Sequence, residues 1–192
     1  MSWTASEPTW VVPPRAQIAD LQWLAYAEAT EAGDRRALGI TAALAWVRGG
    51  AAGPATGRAE QPLGPALAET ELWATRAVLA PADPPPLGEI SRGLGVPYAA
   101  PRAIDQAQAL GIASTLEWLL GLCSATPLPL PERAPDGRPA DVATVVDAAI
   151  KAQPHKNWGP EERHAARNHA RESVERSRRL LDRIAAAQER AG

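Results

Sequence analysis

The sequence predicts an all-α protein: a compact bundle of about four helices followed by a C-terminal helical hairpin with a long last helix. Three observations carry this. The nineteen prolines leave proline-free windows at 15–53, 66–80, 102–126, 140–153 and 161–192. Pro14, Pro65, Pro101, Pro139 and Pro160 stand at their entrances, where a helix accepts a residue with no N–H and a fixed φ. Apolar residues inside the windows recur at helical spacing, most clearly Val142, Val145, Val146, Ala149 and Ile150. Val11-Val12 and Val96-Pro97-Tyr98, the best strand candidates, are too short and lie beside proline.

The elements follow in order. Gly33-Asp34 divides the first window, because Gly ends helices and Asp caps them. The first helix is expected at 15–32 and the second at 35–48, ended by Gly49-Gly50. A third is expected at 65–80, stopped by Pro81, and a fourth at 102–120, ending near Gly121. A fifth is expected at 140–152. The sixth runs from 161 almost to the end, with Glu161 and Glu162 in its first turn, where the helix dipole favours anions. This divides the chain into a tail (1–14), a helical bundle (15–122), a proline-rich linker (123–138) and a C-terminal hairpin (139–192). In the linker, Pro127-Leu128-Pro129-Leu130-Pro131 reads as extended polyproline II, a stiff spacer. The segments 49–64 and 81–100 read as further linkers.

A possible internal repeat lies within the bundle. Residues 37–46 (ALGITAALAW) match 109–118 (ALGIASTLEW) at six of ten positions, at a constant offset of 72. A duplicated helix pair would make the first two helices pseudo-equivalent to the third and fourth; convergence in an Ala- and Leu-rich chain is the plain alternative. Mid-helix Gly costs ~1 kcal/mol relative to Ala, so Gly39 and Gly111 at matching positions point to close helix–helix approach.

The composition fits such packing. The chain has 41 Ala against 19 Leu, 9 Val and 7 Ile, with one Met, seven Trp and no Phe. Small residues allow tight crossings but bury little area. Trp23, Trp46, Trp73 and Trp118, one to each of the first four helices, therefore supply the missing bulk, and core packing is expected for most of them. Trp3 and Trp10 are expected to pin the tail to the bundle or to another subunit.

Several function classes are excluded or left without support. One cysteine, Cys123, excludes a disulfide framework and a cysteine zinc cluster. No run approaches the ~18 apolar residues of a membrane span, and the first residues have no signal-peptide pattern. A soluble, cytoplasmic protein with no membrane partner is expected. The bias of 18 Arg to 2 Lys, with the Ala excess, suggests a bacterial GC-rich genome. His155, His164 and His169 supply only one Glu-x-x-His unit, Glu161 to His164, where a di-metal bundle needs two. The Gly-rich stretch 49–58 follows a helix and lacks the Gly-Lys-Ser/Thr ending of a phosphate loop. No catalytic residue, metal ligand or cofactor is assigned.

The near-neutral total conceals an asymmetry. Residues 1–150 hold 10 Arg and no Lys against 16 acids, a net of −6, and residues 151–192 hold 10 basic residues against 6 acids, a net of +4. On the last helix Arg163, Arg167 and Arg171 recur every four residues and form a stripe open to an anionic or protein partner. Val174, Leu181 and Ile184 form a thin apolar seam suited to self-association. The leading reading is a non-enzymatic helical protein acting through protein–protein contact or homo-oligomerisation. Nucleic-acid binding through the arginine stripe is the alternative. A third reading is an all-α magnesium-dependent nucleotide hydrolase using Glu28, Glu31, Glu69 and Glu71; only Glu28-x-x-Glu31 has the paired spacing such a site needs.

Overall fold

The structure is a computed structural model that describes residues 8–49, 52–59, 64–135, 137, 140–151 and 159, and positions 161, 162, 164, 165, 168, 169, 171, 172, 175 and 179. The described residues are organised as α1 (Arg15–Glu31), α2 (Arg35–Val47), α3 (Pro65–Leu79), α4 (Leu87–Gly93), α5 (Gln106–Leu119) and α6 (Val142–Lys151), with no strand among them. The chain divides into two units, Met1–Leu130 and Pro131–Gly192.

Local chemistry sets the helix ends in the first unit. Pro14 holds an extended conformation (φ −60°, ψ 139°), and its carbonyl accepts from the Ile18 N–H at 3.2 Å, opening α1. Gly33 turns the chain at φ +64°, a left-handed conformation costly for other residues. The Asp34 carboxylate then accepts from Arg36 N at 2.8 Å and Ala37 N at 3.4 Å, capping α2. Pro65 occupies the first turn of α3. These three starts lie where proline and Asp place them.

Two elements differ from expectation. α5 begins at Gln106 rather than after Pro101. Residues just past Pro101 are pulled away: Arg102 N donates to Ala55 O at 2.9 Å and its Nε to Pro54 O at 3.2 Å. Asp105 is the actual cap, accepting from Gln108 N at 2.7 Å. α4 lies in a segment read as a linker. Its entrance repeats the proline signal, since Pro86 O accepts from Ile90 N at 3.1 Å, but Gly88, Gly93 and Gly95 disguise a helix of seven residues.

The helices of this unit pack in the order α1 on α2, α2 on α5, α5 on α3 and α3 on α4. One apolar core joins α1, α2, α3 and α5 through Leu21, Ile40, Leu44, Leu72, Ile112, Leu116 and Leu119. Trp46 and Trp118 are buried in it, at 1% and 4% exposure. Trp10 and Val11 lie against this core, and Val12 N donates to Leu119 O at 3.0 Å, so the preceding segment is pinned to α5. Trp3 falls outside the described residues. Pro127 is buried, Leu128 and Leu130 lie on the core, and Arg36 donates to the Pro127 carbonyl at 3.1 Å.

The repeat is realised as geometry. A Cβ on Gly39 would overlap the Gln108 carbonyl oxygen and stand 3.1 Å from Ile112 N. A Cβ on Gly111 would overlap the Arg36 carbonyl oxygen and stand 3.1 Å from Ile40 N. The contacts are reciprocal at the sequence offset of 72, so α2 and α5 are related by a local two-fold operation through this crossing. Their last turns match as well: Gly49 N donates to Trp46 O at 2.8 Å and Gly121 N to Trp118 O at 3.1 Å, with φ of +76° and +72°. The Arg35–Asp105 ion pair (2.6 Å) sets the two N-termini side by side. Parallel dipoles bring two positive ends together there, and the Asp34 and Asp105 carboxylates offset them. The likeness stops at the outer helices. Three residues join α1 to α2, whereas residues 80–105, including α4, separate α3 from α5.

In the second unit, Asp141 caps α6, accepting from Ala143 N at 3.0 Å and Thr144 N at 3.3 Å. This start lies two residues past the expected one. Val146, Ala148 and Ile150 are buried; Val145 and Ala149 are half-buried. The side chain of Val142 is outside the described residues. Described positions from Glu161 to Arg179 are helical. The Asp141 carboxyl is held below its ordinary 3.8 chiefly by the Thr144 hydroxyl and Thr144 N–H, with a smaller contribution from the charge of Arg171.

Candidate functional site

The outer side of α3 carries an open groove. Trp73 is half-buried, and the Arg76 guanidinium lies 4.6 Å above its ring centroid, a cation–π contact. The two residues are three apart and so share a helix face. Glu117 of α5 fixes the arrangement, its carboxylate 2.9 Å from the Arg76 guanidinium. Beyond α3 the chain makes a turn, Asp83 N donating to Ala80 O at 3.2 Å, and then runs into Pro84-Pro85-Pro86. Trp73, Arg76 and Leu79 on one side and Asp83 with the three prolines on the other border a shallow, open groove of about 530 Å³. Its proline wall has little conformational freedom left to lose on binding.

Trp73 also borders a narrow recess with Thr56, Arg58, Leu87, Ile90 and Ser91. The loop on this side is held by Glu71, which is 1% exposed. Its carboxylate accepts from Ala55 N at 2.7 Å, Thr56 N at 3.1 Å and the Thr56 hydroxyl. Gly53 sits against it so closely that a Cβ would meet Glu71 Oε1. The loop thereby lines the recess beside Trp73. Glu71, one of the acids of the hydrolase reading, is engaged in holding backbone. Glu69 is half-buried, while Glu28 and Glu31 are exposed on α1. Among the described residues no group of three His, Cys, Asp or Glu is placed to hold a metal ion.

Of the residues singled out on the last helix, Arg171 is exposed. Arg163, Arg167, Val174, Leu181 and Ile184 lie outside the described residues. The Trp73 groove is not legible in the sequence, where Trp73 is one of four helical Trp of which most are expected in the core. Two of the four helical Trp are core, while Trp23 is 38% exposed and Trp73 half-buried. A faint signal existed in Arg76 three residues after Trp73 and in the proline triplet just past the helix end.

The fold and groove define a class, an all-α protein with a preformed aromatic- and proline-walled cleft. No family model, curated protein or solved structure matches the chain. No helix among the described residues is long and apolar enough to cross a membrane.

Proposed function

We propose that this chain is a non-enzymatic helical protein that acts by binding another protein or a second copy of itself. The observation that carries the reading is the open Trp73 groove, where a large aromatic side chain is held half-buried by an ion-paired arginine instead of being packed away. Aromatic residues beside Arg are the side chains that contribute most at protein interfaces. The apolar seam Val174, Leu181, Ile184 and the stripe Arg163, Arg167, Arg171 extend the same reading to the C-terminal arm.

Light scattering with chemical crosslinking tests it, alongside affinity capture from the native lysate. A concentration-dependent oligomer, or a stoichiometric complex, is expected. Trp73→Ala, or the pair Leu181→Glu and Ile184→Glu, is expected to reduce it. A strictly monomeric chain that captures no partner removes the reading.

A further inference from the structure

We propose that the Trp73 groove binds an extended, proline-rich segment that carries a basic residue; this rests on the protein-binding reading above and names its ligand chemistry. The walls point to proline. An indole, one face of which Arg76 covers, and rigid pyrrolidine rings opposite it offer apolar surfaces. A polyproline II ligand fits such surfaces at low ordering cost, because it is extended before it binds.

The molecule already shows how it holds proline segments. Prolyl residues lack an N–H and do not form ladders, so their carbonyls take donors from the following backbone, as at Pro14 and Pro86, or from side chains. Arginine is that side chain three times: Arg36 donates to Pro127 O at 3.1 Å within a proline-rich run, and at two isolated prolines Arg102 Nε donates to Pro54 O at 3.2 Å and Arg58 to Pro97 O. Arg76 repeats the provision in the open groove. Its NH2 group is bonded to Glu117, and a guanidinium has five N–H donors in all.

Charge selects the rest of the ligand. Glu117 neutralises Arg76, which leaves Asp83 as the uncompensated charge of the groove. Asp83 is exposed, and its carboxylate bonds to no side chain or backbone group among the described residues. The cleft is therefore net negative and complements a basic side chain placed beside the prolines.

Calorimetric titration of the full chain with three synthetic peptides tests this. One is a Pro/Leu repeat with a single Arg, the second has Glu in place of Arg, and the third has the same charge as the first but Ser and Ala in place of proline. Saturable binding of the first peptide is expected, with the other two about tenfold weaker or worse, the scale of one lost interaction. Asp83→Arg, at an exposed position, is expected to weaken the first peptide about tenfold and to improve the Glu peptide relative to it. Trp73→Ala is expected to abolish saturable binding while the helical circular dichroism is retained. Absence of binding while the chain still oligomerises or forms a complex overturns the ligand class and leaves the protein-binding reading standing. Binding unchanged by both Asp83→Arg and Trp73→Ala overturns the site, and equal binding of the proline-free peptide overturns the requirement for proline.

Discussion

The α2–α5 crossing and the outer side of α3 belong to the same unit and solve opposite problems. At the crossing, two glycines bring backbone onto backbone, leaving no room for even a Cβ. Around Trp73, the largest side chain available is left half-buried beside a groove of about 530 Å³. Trp46 and Trp118 are in the core, and Trp73 lies outside it. The crossing is a packing contact and the groove is the proposed recognition surface, so substitutions in the two regions are expected to fail differently.

The sharpest contrast comes from Gly39→Ala. The added methyl meets a carbonyl of the partner helix, a backbone atom that moves only if the helices separate. A loss of about 3 kcal/mol or more is expected by urea denaturation, at the upper end for overpacking. Gly111→Ala should cost a similar amount by the local symmetry. The double variant should cost clearly less than the sum of the two, because a single separation of α2 from α5 relieves both clashes. Full additivity would break the two-fold relation.

Glu71→Ala ranks next. It strands the Ala55 and Thr56 N–H groups in a buried setting, at about 2–3 kcal/mol in the same measurement. It also loosens the loop beside Trp73, so intrinsic Trp fluorescence should become more accessible to acrylamide. Glu71→Gln, which retains one acceptor oxygen, should be milder. At Trp73 itself the expected stability loss is smaller, about 1–2 kcal/mol for a partly buried aromatic, while the loss of ligand binding is large. That separation of effects is what distinguishes groove from crossing.

The smallest effect concerns acid. The Asp105 carboxyl is held below its ordinary 3.8 by the Gln108 N–H and then by Arg35. A depressed folded value means a stabilising contribution that is present above 3.8 and lost as pH falls through the folded value. Asp105→Asn should therefore lower the urea midpoint at about pH 6, and the gap from the parent should close by about pH 2. A gap that widens under acid would contradict the capping role.

The legible part of this fold was local. Pro14, Asp34 and Pro65 mark helix starts through φ restriction and capping, and each mark acts within a few residues of itself. The start of α5 was misplaced because a distant loop, at Pro54 and Ala55, competes for the residues after Pro101. α4 was missed because its glycines masked a helix that tertiary packing on α3 stabilises. The candidate site was least legible. A Trp at helical spacing looks the same in sequence whether its face meets a core or a groove, and only the path of residues 80–86 distinguishes the two.

By itself the sequence determined the all-helical class, most helix boundaries, the repeat at offset 72 and the need for close approach at Gly39 and Gly111. Tertiary structure alone decided that the two copies of the repeat face each other, each glycine receiving the other helix's backbone. It also decided that Trp73 borders an opening walled by Pro84-Pro85-Pro86. The physical reason is range. Proline, glycine and capping carboxylates act on their own backbone, whereas an interface exists only once distant segments have been brought into contact.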